Sequence, residues 1–137
     1  MGNLSFEGTS KIPEVILNPD GIIQINGRWI EDLSCENYNA IMDWIGNYAK
    51  NPGEITIVDI SLEYFSTRNL TSFLNIFRRL ICVMSLNKKL VTNWYYEAGD
   101  DEMLERGKYI SSMVKMPFNF ICVRNHKKSG GSTTVHN

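Results

Sequence analysis

The body of this sequence lacks the residue that enzymes use most often as a general base. Of the 137 residues only two are histidines, His126 and His136, and both lie near the C-terminus. A body without histidine has no Ser/His or Cys/His nucleophile pair and lacks a common zinc ligand. The sequence also has no Gly-rich phosphate loop and no dinucleotide-binding fingerprint. These absences favour a non-enzymatic binding protein without a cofactor or metal.

Cysteine is scarce, and long apolar runs are missing. The three cysteines, Cys35, Cys82 and Cys122, are odd in number and widely spaced, and the last two are flanked by apolar residues. They predict buried free thiols in a reducing cytoplasm rather than a disulfide framework or a zinc site. No apolar run approaches the roughly 20 residues that span a bilayer. The first residues also lack the basic and apolar regions of a secretory signal, so we expect a cytoplasmic protein with no membrane segment.

The charge is unevenly distributed along the chain. All 15 acidic residues precede residue 106, whereas Arg124, Lys127 and Lys128 lie at the end. Residues 1–123, with 11 basic and 15 acidic residues, therefore have a net charge of −4. Nucleic-acid-binding proteins normally present a basic surface, so the acidic body predicts protein partners rather than nucleic acid.

Apolar periodicity predicts five strands that alternate with three helices from residue 34 onward. The expected strands cover 14–17, 22–26, 55–62, 90–96 and 118–123, and the expected helices cover 34–50, 70 to about 87, and 99–115. The near-continuous apolar run at 55–62 predicts a central strand covered on both faces. Turn residues at 18–21 predict an antiparallel N-terminal hairpin, and Asn26-Gly27 predicts a turn or a bulge. We expect right-handed βαβ crossovers and a mixed α/β sheet over residues 10–124, with a flexible lead-in at 1–9 and a flexible basic tail at 125–137.

Several groups of residues could have a binding or catalytic role, and most of them also have a purely structural interpretation. An acidic cluster could bind a divalent cation or supply acid–base catalysis, but charge matching at a helix N-terminus explains it more simply. Its members are Glu97, Asp100, Asp101, Glu102 and Glu105. Arg28 could hold a phosphate or carboxylate, or could pair with Glu31 or Asp32. The aromatic run 94–96 could form part of a partner surface, although core packing is favoured for it.

Ser66 and Thr67 lie where the strand at 55–62 leads into the second predicted helix. Both residue types are common helix caps, which is the structural interpretation. The functional interpretation is a phosphoacceptor, because a phosphate would place about −1.5 to −2 charges beside exposed helix amides. Arg68 would then lie within reach of the phosphate.

Five motifs, in order, resemble the SiaC-type bacterial regulatory phosphoproteins over residues 10–123. They are Pro13-Glu14-Val15 through Asn18-Pro19-Asp20-Gly21 with Asn26-Gly27-Arg28, then Leu62-Glu63-Tyr64-Phe65-Ser66-Thr67, Asn93-Trp94-Tyr95-Tyr96-Glu97, Asp101-Glu102-Met103-Leu104-Glu105, and Pro117-Phe118. The second motif resembles the family's Leu-Glu-Tyr-Phe-Asn-Thr-Ser-Ser. Here Ser66 replaces the Asn, which makes it a rival acceptor, and Arg68-Asn69 replaces Ser-Ser. Trp29 stands where the family usually has Ser after the arginine.

The resemblance implies a fold similar to the STAS domains of anti-sigma-factor antagonists. It also implies a partner-switch regulator of bacterial signal transduction, such as biofilm control. A cognate kinase would phosphorylate Thr67 and a PP2C-type phosphatase would reverse it. The unmodified protein would bind and activate a diguanylate cyclase or another signalling protein. The expected partner-binding residues are Tyr64, Phe65, Ser66, Thr67, Arg68 and Asn69.

Two other functions stay open at this point. The same helix N-terminus could bind a small anion or a nucleotide without any phosphorylation switch. A hydrolase could use Asp59 or Glu63 without histidine, although no residue pattern points to a substrate.

Overall fold

Seven strands and three α-helices form the protein in a computed structural model, which describes residues 1–124 and the backbone of residues 135–136. The strands are β1 (Leu4–Phe6), β2 (Glu14–Asn18), β3 (Ile22–Trp29), β4 (Ile55–Phe65), β5 (Lys89–Glu97), β6 (Asn119–Val123) and β7 (Val135–His136). The α-helices are α1 (Cys35–Tyr48), α2 (Leu70–Ile81) and α3 (Asp101–Val114). Two 3₁₀ helices, Thr67–Asn69 and Cys82–Leu86, flank α2.

The strands form one mixed sheet in the order β1 to β7. Strands β3, β4, β5 and β6 are mutually parallel, and the outer pairings are antiparallel. The three crossovers advance in the same direction, and right-handed connections therefore place all three helices on one face. The predicted mixed α/β fold is confirmed, and the two strands beyond the expected five are short additions at the edges.

The N-terminal lead-in departs from its prediction. Residues 1–9 were expected to be flexible, but Leu4–Phe6 forms β1, with Leu4 opposite Leu17 and Phe6 opposite Val15. Both β1 side chains pack partly against the core, which stabilises this edge. Within the predicted tail, the backbone of Val135–His136 pairs with β6. The rest of that tail, residues 125–134 and 137, lies outside the described residues.

Strand β4 is covered on one face only, which corrects the prediction for residues 55–62. Val58, Ile60 and Leu62 face the helices and are at most 5% exposed. Ile57 and Asp59 alternate with them and lie half-buried on the opposite face. Because all helices lie on one side, nothing in the described residues layers over the other. Val and Ile are favoured in strands even where one face is open, which made the run look like a doubly covered strand.

The core lies between the helices and the sheet and contains a continuous series of aromatic rings. These rings belong to Trp29, Phe65, Phe73, Phe77, Trp94 and Phe118. The prediction of buried cysteines is wrong: all three are free, but Cys35 and Cys82 are exposed and Cys122 is half-buried. Cys35 is the first residue of α1, and Cys82 is the first residue of the 3₁₀ helix that follows α2. None of the helices in the part of the chain that the structure describes has the length and apolar composition of a membrane span.

Candidate docking site

The turn between β4 and α2 lies at the carboxyl end of the parallel strands. This edge is where ligands and partners of open α/β sheets commonly bind. The turn consists of Ser66 and the 3₁₀ helix Thr67–Asn69, which leads directly into α2. Its backbone is tied to the neighbouring strand, since the N–H of Ser66 donates to the carbonyl oxygen of Trp29 at 2.9 Å. The predicted phosphoacceptor segment is therefore part of a fixed turn.

Two of the predicted partner-binding residues point into the protein. Phe65 is 2% exposed and packs edge-on against Trp29, with ring centroids 5.5 Å apart. Asn69 is fully buried, and its Nδ2 donates to the Trp29 carbonyl at 2.9 Å. Neither side chain can contact a partner directly, which corrects the prediction for both. They hold the turn in place, with Trp29 as the shared anchor.

The remaining members of the predicted surface face outward to different extents. Ser66 is half-buried, and its Oγ accepts a hydrogen bond from the Arg68 N–H at 3.4 Å, as an N-cap does. Thr67 is exposed, and no described residue hydrogen-bonds its hydroxyl. Tyr64 is 50% exposed beside the turn. The turn therefore presents the hydroxyl of Thr67 to solvent and uses that of Ser66 internally.

A bulge brings an arginine beside this surface. The pairing of β3 with β4 shifts between Gly27 and Arg28, where Gly27 has a φ of 106°. Asn26-Gly27 thus forms a bulge and not a turn, and glycine suits the positive φ there. Arg28 then lies opposite Tyr64, with its guanidinium 5.8 Å from the ring centroid. It pairs with Glu63 at 3.5 Å and not with either carboxylate expected from the sequence.

Two further arginines border the turn, and each is matched by a carboxylate. Arg68 lies 3.5 Å from Asp32. Arg106 donates from Nη1 to the carbonyl of Phe65 at 2.5 Å, and its Nη2 lies 3.8 Å from Glu102. The Arg68–Asp32 pair is exposed and contributes about 0–1 kcal/mol, so an added anion can exchange with it, whereas Arg106 is half-buried. Arg106 lies far along the chain from the turn, and no local sequence signal identifies it.

Next to the turn, a polar cavity of about 210 Å³ opens at the strand ends. Tyr95 and Tyr96 line it together with Arg28, Glu63 and Asp100. Trp94, by contrast, is fully buried, so the aromatic run divides between the core and this cavity.

The structure supports the interpretation of the acidic cluster at 97–105 as negative charge placed at a helix N-terminus. The Asp100 carboxylate caps α3 by accepting from the Met103 N–H at 3.1 Å, and Asp101 and Glu102 occupy the first turn. Charge of this sign is favourable at a helix N-terminus. Within the described part of the chain, no three His, Cys, Asp or Glu side chains come together in a way that could hold a metal ion.

Comparison with known proteins identifies the family. A family model described as SiaC family regulatory phosphoprotein matches residues 6–123. A chain in the crystal structure of the diguanylate cyclase SiaD in complex with its activator SiaC from Pseudomonas aeruginosa superimposes with a TM-score of 0.76 at 18% identity, covering 87% of this chain and 98% of that chain. Apo-SiaC from Pseudomonas aeruginosa gives a TM-score of 0.75 at 19% identity, covering 88% and 98%. None of the curated protein sequences matches. The match over almost the whole described body shows that this chain belongs to the SiaC family of regulatory phosphoproteins.

Proposed function

We propose that this protein is a non-enzymatic, cytoplasmic partner-switch regulator controlled by reversible phosphorylation of Thr67. The unmodified protein binds and regulates a signalling protein such as a diguanylate cyclase. A cognate kinase adds the phosphate, and a PP2C-type phosphatase removes it. The observation that carries this proposal is the exposed, unbonded hydroxyl of Thr67 on a fixed turn, in a family of regulatory phosphoproteins.

The environment of the two hydroxyls favours Thr67 over Ser66 as the acceptor. A kinase needs a hydroxyl that can enter its active site, and Thr67 is exposed. The half-buried Ser66 hydroxyl caps the turn, and phosphorylating it would remove that cap. Loss of an N-cap costs about 0.5–2 kcal/mol, so modification at Ser66 would loosen the same surface that it is meant to regulate.

A phosphate on Thr67 would change the charge of the docking surface without unfolding the domain. It adds about −1.5 to −2 charges beside the N-terminus of the helical segment. Arg68 is the nearest exposed cation in sequence, and the phosphate would compete with Asp32 for it. A partner that packs against the neutral turn would then have to desolvate a phosphate, and docking is lost.

Mass spectrometry of the protein from its native cells tests the switch directly. We expect phosphate on Thr67 and not on Ser66. Absence of phosphate at both positions under all growth conditions would refute the switch and leave the binding role standing.

Binding to a diguanylate cyclase of the same organism tests the partner. We expect Thr67→Glu to weaken binding by roughly tenfold or more, which corresponds to a loss of about 1.4 kcal/mol in binding free energy. Thr67→Ala should retain binding. Glu7→Gln, a charge change at an exposed site far along the chain, is the control and should leave affinity unchanged. Equal affinities for Thr67→Glu and the unmodified protein would remove Thr67 from the docking surface.

The alternative function is a small-molecule or nucleotide site at the same edge of the sheet. The polar cavity beside Tyr95 and Tyr96 is the observation that supports it. A thermal-shift screen of nucleotides separates the two functions, because a ligand that binds the folded state raises the melting temperature with dose.

A further inference from the structure

A long groove lies between α1 and α2, on the helical layer and away from the Thr67 turn. Its volume is about 820 Å³. One wall is the α1 stripe of Tyr38, Met42, Gly46 and Ala49, and the other continues from Asn75 on α2 into the 3₁₀ helix that ends at Leu86. The groove therefore follows two helices for several turns and stays open along its length.

Three cations line this groove, and none has a partner among the described residues. They are Lys50, Arg78 and Arg79. Every ion pair within the described part of the chain involves other side chains. In a body with a net charge of −4, this groove is a local concentration of unmatched positive charge.

The floor of the groove is apolar and is shaped by a glycine. Met42 and Ala49 on α1 are half-buried, and Leu86 at the far end is 46% exposed. A Cβ added at Gly46 would lie 3.0 Å from Nη1 of Arg79, so the missing side chain makes room for that guanidinium. Glycine is disfavoured inside a helix relative to alanine, and at residue 46 it leaves the groove open beside Arg79.

We propose that this groove docks an acidic amphipathic helix of a partner protein. An apolar stripe on that helix would cover Met42, Ala49 and Leu86, and flanking carboxylates would meet Lys50, Arg78 and Arg79. Helix-in-groove binding uses this combination of an apolar floor and charged edges. The open shape argues against a small ligand, whose surface a pocket must largely enclose. The acidic body argues against nucleic acid.

This second surface is separate from the proposed switch. The groove is lined by the later turns of α2, whereas Thr67 precedes that helix. Binding in the groove should therefore be independent of the charge at residue 67, and failure of one proposal does not decide the other.

The test titrates a fluorescent, stapled helical peptide of about 16 residues, with Leu at helical spacing and Glu elsewhere, into the full-length protein. The control peptide has Lys in place of every Glu. We expect the acidic peptide alone to bind, with affinity falling as salt rises. The double variant R78E/R79E should weaken binding roughly tenfold, and Leu86→Ser should weaken it by about threefold.

The matched control is K11E/K115E, which changes two exposed lysines on segments that do not line the groove by the same total charge. Its affinity should stay within about twofold of the unmodified protein, because salt screens distant charges. Thr67→Glu should also leave the affinity for the acidic peptide unchanged. Equal binding of both peptides, or equal losses in the two double variants, overturns the proposal. So does concentration-dependent self-association that R78E/R79E abolishes while the acidic peptide fails to bind, because the occupant would then be a second copy of this chain.

Discussion

The two faces of the central sheet are stabilised in different ways. On the face under the helices, side chains such as Val58 and Trp94 are completely buried. On the other face, Asp59, Asn93 and Asn119 lie in register on neighbouring strands and are linked by side-chain hydrogen bonds. Burying a large apolar side chain contributes about 1.5–3 kcal/mol or more, whereas a hydrogen bond contributes a net 0.5–1.5 kcal/mol. Most of the stability should therefore come from the helical side. Substitutions on the open face and in the exposed turn should then cost less unfolding free energy.

The largest predicted effect compares two consecutive residues of β5. Trp94→Ala should lower the free energy of unfolding by about 3–5 kcal/mol, because it leaves a cavity among packed rings. It also removes the hydrogen bond from Trp94 Nε1 to the Met103 carbonyl, 3.0 Å long. Tyr95→Ala, on the opposite face, should cost about 1 kcal/mol. Urea titrations of both variants measure the difference, and similar costs would show that the faces are equivalent.

A pair of helix glycines sharpens the same contrast. A Cβ at Gly107 would lie 2.6 Å from Trp94 Nε1 and 2.7 Å from two further atoms of that ring, so Gly107→Ala should destabilise by about 1–3 kcal/mol. At Gly46 the only near atoms belong to the flexible end of Arg79, so Gly46→Ala should be neutral or should stabilise by up to about 1 kcal/mol. Thermal unfolding of the two variants should shift in opposite directions or by clearly unequal amounts. Matching shifts would mean that the helix–sheet contact at Gly107 can relax.

Sequence periodicity was enough to predict the main elements because each has a consistent apolar pattern. The predicted helices and the five long strands all occur, since their apolar residues repeat with the period of the element. Strand β1 was missed because it is only three residues long and lies between polar residues. The end of α2 was misjudged as well: the apolar stripe continues to Met84, but the chain tightens into a 3₁₀ helix after Ile81, and Met84 is 45% exposed.

The candidate site was only partly predictable, because its geometry depends on distant segments. The motif located the turn, but it could not show that Phe65 and Asn69 point inward onto Trp29. Arg106 approaches the turn from α3, a contact that exists only after the chain folds. The groove between α1 and α2 is likewise a tertiary feature, since neither helix forms it alone.

Within the turn, a buried and an exposed side chain can be compared in the same way, with a smaller expected difference in unfolding free energy. Asn69→Ala removes the buried hydrogen bond to the Trp29 carbonyl and should destabilise by about 1 kcal/mol. The loss is modest because that carbonyl keeps its bond from the Ser66 N–H. Arg68→Ala, one residue earlier and exposed, should change stability by no more than about 0.5 kcal/mol. Chemical denaturation compares them, and a larger loss for Arg68→Ala would contradict the anchoring role of Asn69.

The smallest effect concerns ionisation on the open face. Burial raises the pKa of Tyr95, and the nearby charge of Asp59 raises it further. Because the folded state holds the phenol neutral more strongly than the unfolded state does, the resulting stability is fully present below the ordinary tyrosine pKa of about 10 and is lost as the pH rises through the raised pKa. Tyr95→Phe should therefore flatten the decline in unfolding free energy at alkaline pH, and Asp59→Asn should flatten it partly. Urea midpoints from neutral to alkaline pH provide the measurement, and the titration of lysines, common to all three proteins, cancels in the differences. Identical alkaline slopes for the unmodified protein and Tyr95→Phe would mean that the open face leaves this tyrosine as free to ionise as an unfolded chain does.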